Sequence, residues 1–474
     1  MINNLIYMKW IGFLSHNNVP KAHIYVRHKT SKDLELSNIP SESIQHVMRD
    51  LALKKTLPLG GKLITIKENM CTKYWTTSAS SEILHDYVSP FEATLVEALE
   101  KNGGVIIGKT NMDEFAMGTS THNTLHGRTA FPHTDNELYQ VGGSSGGCAA
   151  SVAADLAFAS IGTDTGGSVR SPAAYVGCVG FKPSFGRISR YGVIPFAHSM
   201  DTVGIVAKDV GSVQTVFDVL DQPDSKDATC LTIQLRKTID DHCHYFKSTE
   251  RPVVVGVPTD WNITETHPEV LQKWNEFLSL LESQGCEVRE IQLPNSLYGL
   301  SIYAALAYAE GVTNLARFSN PIFGSKLQEG EFHDGVDPRS HLMGLEVQKR
   351  LLIGAYSLSF GKDNGINQKA QLMRRAVQLE FNRSFKIPSL QESDPSGDVD
   401  FIVTPSFLKP TQPIGASSPT DFLSDSMLVP SSLAGLPSIS IPFGKICGGL
   451  PMGIQLIAQY GDDNSLLSFA KRFC

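Results

Sequence analysis

The stretch SIGTDTGGSVRSPAAYVG, at residues 160–177, contains several side chains that could perform catalysis. Asp164-Thr165-Gly166 matches the loop of aspartic proteases, in which a carboxylate activates water. The same stretch is also a glycine-rich turn, which could present Ser168 as a nucleophile or offer a group of backbone N–H donors. These interpretations predict different enzymes.

An aspartic-protease site needs two carboxylates that share a proton, so that one is ionised while its neighbour stays neutral. A single-chain enzyme of that type carries two such loops, but no second D-[ST]-G triplet occurs in this sequence. A homodimeric version would be far shorter than these 474 residues. We therefore expect Asp164 to brace the glycine turn through hydrogen bonds.

Residues 143–147, GSSGG, match the G-x-S-x-G nucleophile elbow of α/β-hydrolases, with Ser145 at the centre. That chemistry also needs an acid and then a histidine farther along the chain. His198, His267 and His333 are available, but none lies in a recognisable setting. Ser145 as a nucleophile stays open as an alternative.

Residues 103–110, GGVIIGKT, match the P-loop pattern G-x-x-x-x-G-K-[ST]. A P-loop lies between a strand and the helix that follows it, where its backbone amides wrap phosphates. Here Val105-Ile106-Ile107 looks like the strand itself, and a helix-like stretch precedes it. The match is therefore interpreted as accidental, and Lys109 as a lysine at the end of a strand.

Composition limits the classes of partner. The chain carries 41 basic and 48 acidic residues, a formal net charge of -7, which argues against nucleic-acid binding by the whole surface. No apolar run approaches the roughly 18 residues of a membrane span, so no membrane insertion is expected. The cysteines are scattered without a C-x-x-C pair and are predicted to be free thiols in a reducing compartment. Residues 241–244, DHCH, are the one metal-like cluster, but no second ligand pair is spaced for zinc, so a solvated loop and no metal are predicted.

The first acidic residue of the chain is Asp33, and five basic residues precede it at positions 9, 21, 27, 29 and 32. An acid-poor, basic start of this kind is typical of an organelle transit peptide. We therefore predict an N-terminal segment over residues 1–50 that contains a transit peptide.

The rest of the chain, residues 51–474, has the pattern of a single α/β domain. Short apolar runs at 63–66 and 105–107 alternate with helix-like stretches, and Ser89 and Pro90 are expected to open one helix that Gly103 closes. Residues 222–251 are polar and predict an inserted loop before a strand at 252–256. Helical periodicity follows at 268–282 and 346–381, and a polar break at 392–400 precedes a strand at 401–403. Without repeats or heptads, one mixed-sheet domain is favoured over a string of modules.

Four stretches together resemble the amidase signature family: LITIKENMCT (63–72), KTNMDEFAMGTS (109–120), VGGSSGGCAASVAA (141–154) and the stretch at 160–177. The resemblance extends from about Leu59 to the C-terminal tail. It implies an α/β fold with a central mixed β-sheet flanked by helices, and hydrolysis of a carboxamide.

By the pattern of that family, Lys67 is the base, Ser144 relays the proton and Ser168 attacks the amide. The relay serine of the family follows a cis peptide bond. Amides are poor electrophiles, so the hydroxyl nucleophile needs a base and the tetrahedral oxyanion needs donors already in place. The backbone N–H groups of residues 165–167 (Thr165, Gly166 and Gly167) are the implied donors.

The same resemblance assigns supporting roles on the turn and the serine loop. Arg170 and Ser145 are expected to fix the loop by hydrogen bonds. Lys67 lies among apolar residues, and burial disfavours its ammonium form, which would suit it to act as a base near neutral pH.

Within the family, the runs at 111–118, 186–204, 314–318 and 432–442 resemble the glutaminase subunits of tRNA-dependent amidotransferases. That likeness implies release of ammonia from glutamine, which a partner B subunit uses to convert mischarged Glu-tRNA(Gln) to Gln-tRNA(Gln). ATP and Mg are then expected in the partner and no cofactor in this chain. The likeness also implies a heterotrimer, completed by a small accessory protein, in the mitochondrial matrix.

Glutamine offers an α-carboxylate and an α-ammonium, so its pocket needs a cation and an anion. By the pattern of those glutaminases, Arg350 pairs with the carboxylate, Asp425 pairs with the ammonium, and Tyr303 contributes its hydroxyl. The chain departs from the pattern at Cys148, where a serine is usual, and in a segment before Lys67 that is shorter than in typical bacterial members.

Two other functions stay open from the sequence. One is a stand-alone amidase that hydrolyses another carboxamide with the same Ser-Ser-Lys triad. The other is a catalytically silent assembly protein, against which the intact triad argues.

Overall fold

The computed structural model describes residues 55–132, 137–246, 251–261, 263–318, 341–359, 365–390, 397–416 and 421–474. The predicted N-terminal segment at 1–50 lies outside the described residues, and so does His333. Of the helices in these described ranges, none is long and apolar enough to cross a membrane.

One mixed sheet forms the centre of the described chain. Its strands and those of a small ribbon are β1 (Leu63–Lys67), β2 (Val105–Thr110), β3 (Ala130–Pro132), β4 (Leu138–Gln140), β5 (Ala159–Asp164), β6 (Val179–Lys182), β7 (Thr202–Ala207), β8 (Val254–Pro258), β9 (Glu287–Ile291), β10 (Phe401–Pro405), β11 (Ser438–Ile446) and β12 (Leu450–Ala458). The large sheet has the order β2-β1-β5-β7-β6-β11-β12-β10-β8-β9, and β3 pairs with β4 alone.

The sheet is parallel at both edges and antiparallel in its centre. β1 pairs in parallel with β2 and β5, and β8 pairs in parallel with β10 and β9. The connections from β5 through β7, β6, β11 and β12 to β10 are all antiparallel. The predicted central mixed sheet is therefore confirmed, and the strands expected at 252–256 and 401–403 are β8 and β10.

Helices cover both faces of the sheet. They are α1 (Thr94–Lys101), α2 (Gly146–Ala153), α3 (Arg170–Val176), α4 (Val210–Leu220), α5 (Ile233–Phe246), α6 (Pro268–Ser283), α7 (Gly299–Leu315), α8 (Leu345–Leu358), α9 (Ile366–Ser384), α10 (Val429–Leu433) and α11 (Asp463–Ala470). Neighbouring strand residues alternate between two apolar clusters. Val255 belongs to the cluster that includes residues of α6, and Val254 to the cluster that includes residues of α7 and α9. Both faces of the sheet are thus buried, as parallel strands require.

The helix predicted at 268–282 is α6, and it begins where its sequence signals place it. Pro268 is its first residue, and His267 Nδ1 accepts a hydrogen bond from the Glu269 N–H at 3.3 Å as the cap. Its buried residues recur at helical spacing: Val270, Trp274, Phe277 and Leu281. This helix is confirmed.

One helix prediction differs from the structure. Ser89 and Pro90 do not open a helix, because α1 begins at Thr94 and Ser89 Oγ accepts instead from the Phe91 N–H at 3.2 Å in a local turn. Gly103, with a φ of 88°, does follow the end of α1. The helical periodicity predicted at 346–381 corresponds to α8 and α9, and residues 360–364 between them lie outside the described ranges.

The prediction of an irregular loop over 222–251 is wrong for residues 233–246, which form α5. The buried face of α5 consists of Arg236, Ile239 and Cys243, at helical spacing. An arginine in that stripe, which donates to Asp221, weakened the apolar pattern that would have indicated the helix. The DHCH cluster at 241–244 therefore lies at the end of a helix with Cys243 buried, and not in a solvated loop.

Candidate active site

Two parallel strands bring the predicted lysine and the serine turn to one edge of the sheet. β1 ends at Lys67, and its neighbour β5 ends at Asp164, directly before the turn at 165–169. Ser144 and Ser145 come directly before α2, which packs against both strands. In open α/β sheets, the carboxyl ends of the strands are where ligands bind.

Lys67 is fully buried, and its side-chain nitrogen contacts three hydroxyl groups. Nζ donates to Ser144 Oγ and Ser145 Oγ, each at 2.8 Å, and to Thr163 Oγ1 at 3.0 Å. An ammonium group has three N–H donors, so each donor has a hydroxyl partner. The structure thus brings Lys67 and Ser144 together as expected, and adds Thr163.

Burial is the largest influence on Lys67 and lowers its pKa to about 8. Cys148 and nearby carboxylates act in the opposite direction, but the loss of water around the ammonium group outweighs them. A neutral amine is therefore accessible near neutral pH. Its lone pair could then accept a proton from the Ser144 hydroxyl.

The loop before α2 is held tightly around Ser144. The Gly143–Ser144 peptide bond is cis, as the family resemblance implies. A Cβ atom at Gly143 would lie 2.3 Å from Asp113 Oδ2, so only glycine fits there. Asp113 is itself held by the backbone N–H groups of Thr121 and His122, at 2.8 and 3.1 Å.

Ser168 is the more accessible of the two predicted catalytic serines. Ser144 has no exposed surface, whereas Ser168 is partly exposed. The Ser145 N–H donates to the Ser168 carbonyl oxygen at 3.1 Å, which joins the two serine loops. Because a nucleophile must reach its substrate, this exposure fits Ser168 as the attacking group and Ser144 as the relay behind it.

Asp164 is bound into the turn by several hydrogen bonds. It accepts from the backbone N–H of Gly167 at 2.7 Å and of Val169 at 3.2 Å, and from Arg170 Nε at 3.0 Å. Burial alone would raise the pKa of Asp164, but the Arg170 guanidinium and these donors lower it to about 2. The expectation that Asp164 braces the glycine turn is confirmed.

Arg170 connects the turn to the segment that ends in α10. Beyond Asp164, its Nη1 donates to the Leu428 carbonyl at 3.0 Å and to Ser431 Oγ at 2.9 Å, and its Nη2 donates to Ser432 Oγ at 2.7 Å. The side chain is fully buried. Arg170 therefore fixes the loop as expected.

The predicted oxyanion donors are only partly available. The Gly167 N–H is engaged by Asp164 at 2.7 Å, which removes it from the expected set in this structure. Thr165 is fixed from the side, since its Oγ1 donates to Asp201 Oδ1 at 2.7 Å. Asp201 accepts in turn from the Phe196 N–H at 2.8 Å. The backbone N–H groups of Thr165 and Gly166 remain as the expected donors to the oxyanion.

Tyr303 lies against the catalytic turn. A Cβ atom at Gly166 would come within 2.9 Å of the Tyr303 ring. The Tyr303 and Tyr308 rings meet edge to face with centroids 6.2 Å apart, and the Arg350 guanidinium lies 5.4 Å from the Tyr308 centroid. A continuous row of side chains thus connects the turn to Arg350.

Arg350 and Asp425 have opposite charges suited to the two ends of glutamine. Arg350 Nη2 donates to Glu346 Oε1 at 3.1 Å, and its side chain is only 11% exposed. Burial raises the pKa of Asp425 to about 7, although Arg350 opposes the shift. Asp425 therefore gains charge near neutral pH, and Arg350 already has a carboxylate partner on its own helix.

A cavity of about 150 Å³ adjoins Asp425, and Arg350 is not part of its wall. Asp425 and Gly142 belong to its wall, together with the hydroxyl residues Ser120 and Ser171. His122 also lines the cavity, and burial lowers its pKa. The cavity thus places polar groups between the cis peptide loop and the predicted ammonium partner.

Comparison with known proteins identifies the family of this chain. The family model described as Amidase matches residues 41–467. The chain belongs to the amidase family. The mixed sheet described above is thus that of an amidase.

Relatives of this amidase carry consistent names. It is 56% identical over 426 residues to the A subunit of the mitochondrial glutamyl-tRNA(Gln) amidotransferase of Schizosaccharomyces pombe, covering 89% of this chain and 90% of that protein. The A subunit of the Ehrlichia canis glutamyl-tRNA(Gln) amidotransferase is 36% identical over 448 residues, covering 93% and 89%.

Solved structures of other amidases match the fold. The crystal structure of the A subunit of the Thermotoga maritima glutamyl-tRNA(Gln) amidotransferase is 28% identical with a TM-score of 0.68, covering 92% of this chain and 94% of that one. Kluyveromyces lactis allophanate hydrolase, at 23% identity and a TM-score of 0.74 over 100% of this chain and 70% of that one, supports the fold alone.

The two alternative motifs have structural roles in this amidase. Ser145 Oγ donates to the Thr163 carbonyl at 3.1 Å and accepts from Lys67 at 2.8 Å, so its hydroxyl is committed to the lysine and not to a histidine. Lys109 lies in β2, as the strand interpretation expected, and donates to the Met70 carbonyl at 2.7 Å. Burial lowers the pKa of Lys109 to about 7, which an ordinary strand-end lysine would not show.

Sequence reasoning missed several supporting residues of this amidase. Thr163 accepts a hydrogen bond from Lys67. Asp113 lies against the loop at Gly143, and Asp201 accepts from the hydroxyl of Thr165. Asp113 lies in the quoted NMDEFAMG run, and Asp201 lies in the run at 186–204, so the motifs contained both. No pattern singled out Thr163, because threonine is common in strands. Cys148 is fully buried and lies 3.0 Å from Thr110 Oγ1, so it fills the position of the usual serine.

Proposed function

We propose that this amidase is the glutamine-hydrolysing subunit of a mitochondrial amidotransferase that converts Glu-tRNA(Gln) to Gln-tRNA(Gln). Amide hydrolysis is supported above all by the buried contact of 2.8 Å between Lys67 Nζ and Ser144 Oγ, in a site whose proposed nucleophile, Ser168, is partly exposed. The names of the amidotransferase relatives support the pathway.

In the acylation step, Ser168 Oγ attacks the side-chain amide carbon of glutamine. Its proton passes to Ser144, whose own hydroxyl proton passes to the neutral amine of Lys67. The carbonyl oxygen becomes an oxyanion beside the N–H groups of Thr165 and Gly166, which are fixed before the reaction and so need no reorganisation. A tetrahedral adduct on Ser168 results.

Ammonia leaves when the adduct collapses. The C–N bond breaks as the proton on Lys67 returns through Ser144 to the leaving nitrogen, which departs as ammonia and leaves a glutamyl ester on Ser168. Water then attacks the ester, with the same two groups removing its proton. As the bond between the glutamyl carbon and Ser168 Oγ breaks, that proton passes from Lys67 through Ser144 to Ser168 Oγ, and glutamate is released. The base that opens each step is therefore regenerated at its end.

The charged groups beside the turn would orient the substrate. Arg350 would pair with the α-carboxylate of glutamine in place of Glu346, and Asp425 with the α-ammonium group. Tyr303, which touches the turn at Gly166, would add its hydroxyl to the pocket. A pocket that pairs both charges selects a free amino acid over an apolar amide.

The ammonia is used elsewhere in the complex. A partner B subunit would amidate the mischarged tRNA with ATP and Mg, while this chain needs no cofactor for glutamine hydrolysis. A small accessory protein would complete a heterotrimer. The names of the relatives, which are those of amidotransferase subunits, support a complex of several chains.

The test is release of ammonia from glutamine by the purified complex, with Glu-tRNA(Gln) and ATP present or absent. Ser168→Ala should abolish glutamine-dependent formation of Gln-tRNA(Gln) while added ammonium still supports it. Failure of ammonium to rescue that variant, or cleavage of an unrelated amide in preference to glutamine, would refute the proposal.

A further inference from the structure

We propose that His267, Glu269 and Cys447 form a zinc site that joins the start of α6 to the turn between β11 and β12. The three side chains come from two elements that are far apart in the sequence. One nitrogen, one oxygen and one sulfur atom, one from each side chain, all lie within 4.8 Å of one another. The site is separate from the glutaminase centre and does not depend on the proposed function.

The distances between these atoms suit a single small ion. Cys447 Sγ lies 3.5 Å from Glu269 Oε1 and 4.0 Å from His267 Nε2. Tetrahedral zinc with a thiolate at about 2.3 Å and a nitrogen or oxygen at about 2.0 Å separates such atoms by about 3.5 Å. The sulfur-to-nitrogen distance therefore needs to shorten by about half an ångström. The histidine nitrogen and the carboxylate oxygen, which lie within 4.8 Å of each other, need to approach to about 3.3 Å.

The carboxylate is already oriented for this role. Glu269 Oε2 accepts from the Cys447 backbone N–H at 2.6 Å, which leaves Oε1 directed at the sulfur atom. A hydrogen bond to the second oxygen of a ligating carboxylate is a common way to fix its orientation. A thiolate and a carboxylate also balance the two positive charges of zinc, so the occupied site is neutral.

The histidine needs one adjustment. His267 Nδ1 accepts from the Glu269 N–H at 3.3 Å, so the ring proton of the metal-free form lies on Nε2, toward Cys447. Zinc at Nε2 would move that proton to Nδ1 and break this contact. The contact is longer than the usual range of about 2.7 to 3.2 Å, so little is lost.

The position of Cys447 in its turn places the thiol at the histidine and the carboxylate. Cys447 has a φ of 46°, in the left-handed region that favours glycine, and two glycines follow it. His267, Glu269 and Cys447 are partly or fully exposed, so an ion can enter. Zinc here would clamp the turn to the helix, with water in its fourth position.

The first test is titration of the metal-stripped, full-length chain with cobalt(II), which replaces zinc and reports sulfur ligation. One equivalent should produce a thiolate-to-cobalt charge-transfer band that zinc removes by competition. Cys447→Ser should abolish the band, and Glu269→Gln should weaken binding at least about tenfold. Cys474→Ser, which removes an exposed thiol elsewhere, should leave both unchanged.

Thermal unfolding provides the second readout. Zinc should raise the melting temperature of the parent chain and of Cys474→Ser but not of Cys447→Ser, and the three proteins should melt alike in EDTA. Cobalt binding without the charge-transfer band, or a band that survives Cys447→Ser, would overturn the proposal. A zinc shift that persists in Cys447→Ser would overturn it as well.

Discussion

Asp164 and Arg170 form a fully buried ion pair, with Asp164 Oδ1 2.9 Å from Arg170 Nη2. A second contact, between Oδ2 and Nε at 3.0 Å, makes the pair bidentate. The same guanidinium holds the Leu428 carbonyl, a few residues from Asp425. The pair thus connects the turn that carries the proposed nucleophile with the segment that carries the proposed substrate partner.

Asp164→Asn should lower the free energy of unfolding by about 3 to 5 kcal/mol, because it leaves the Arg170 charge buried without its counter-ion. The pKa of about 2 means that the stabilisation is present above the ordinary aspartate range and is lost as the pH falls toward 2. Urea unfolding followed by circular dichroism measures the change. The control is Asp155→Asn, whose exposed contact with Lys208 at 3.1 Å should be worth less than about 1 kcal/mol. Equal losses in the two variants would contradict the prediction.

The kcat for glutamine hydrolysis should rise with pH and level off above about 8, the pKa to which burial lowers Lys67. The direction follows because the protonated amine has no lone pair to accept the Ser144 proton. Lys67→Ala should reduce kcat at least about 100-fold. Lys109→Gln removes a second buried lysine that does not contact the serines, and it should keep the midpoint near 8. A shift of the midpoint of the kcat profile in Lys109→Gln would count against Lys67 as the base.

The KM for glutamine should fall as the pH rises through about 7, because Asp425 gains its charge there and only the carboxylate pairs with the α-ammonium group. Asp425→Asn should raise KM and flatten this part of its pH dependence. Steady-state kinetics between pH 6 and 8, roughly one unit either side of that pKa, measure the effect. An unchanged KM profile in the variant would exclude Asp425 as the ammonium partner.

Arg350→Lys should raise the KM for glutamine at least about tenfold with a smaller effect on kcat, because lysine cannot form the bidentate pair with a carboxylate. The matched control is Lys349→Arg, at the neighbouring exposed position, which should change neither constant. The two variants are compared by initial-rate measurements of ammonia release. A fall in kcat at constant KM would place Arg350 outside the substrate pocket.

Gly167→Ala should inactivate the enzyme, because its φ of 127° is nearly restricted to glycine and its Cβ would lie 2.7 Å from Leu428. Gly61→Ala is the control, since Gly61 also has a positive φ, of 81°, but nothing lies within 4 Å of the added Cβ. That control should cost about 1 to 2 kcal/mol of stability and leave activity intact. Glutamine turnover and melting temperature, measured on both, separate the two effects. An active Gly167→Ala enzyme would show that the turn tolerates rearrangement.

The sequence predicted the secondary structure correctly where its patterns are regular. The prediction failed where a polar residue is buried. α6 was predicted because its apolar residues recur at helical spacing. α5 was missed because Arg236 occupies its buried face, where Asp221 and backbone carbonyl groups accept its hydrogen bonds. The start of α1 was placed too early because the Ser89 hydroxyl serves a local turn as readily as a helix cap.

The ligands of the proposed zinc site are likewise set by the tertiary structure. In the sequence, the DHCH run at 241–244 is the one metal-like cluster, and no metal was predicted there. The ligands proposed from the structure lie at 267, 269 and 447, and no spacing pattern connects them. Such a set can be found only after the strands and helices have been assembled.

The sequence by itself determined the chemistry that this protein can perform. The glycine-rich loops around Ser144 and Ser168 and the lysine at the end of an apolar run are local features, and their resemblance to the amidase signature family predicts a catalytic triad. The tertiary structure decided what that triad is in contact with. Complete burial lowers the pKa of Lys67, the proposed base, to about 8, and Thr165 is fixed by Asp201, a residue 36 positions away. Burial and long-range contacts depend on the packing of the whole sheet, so no local pattern could encode them.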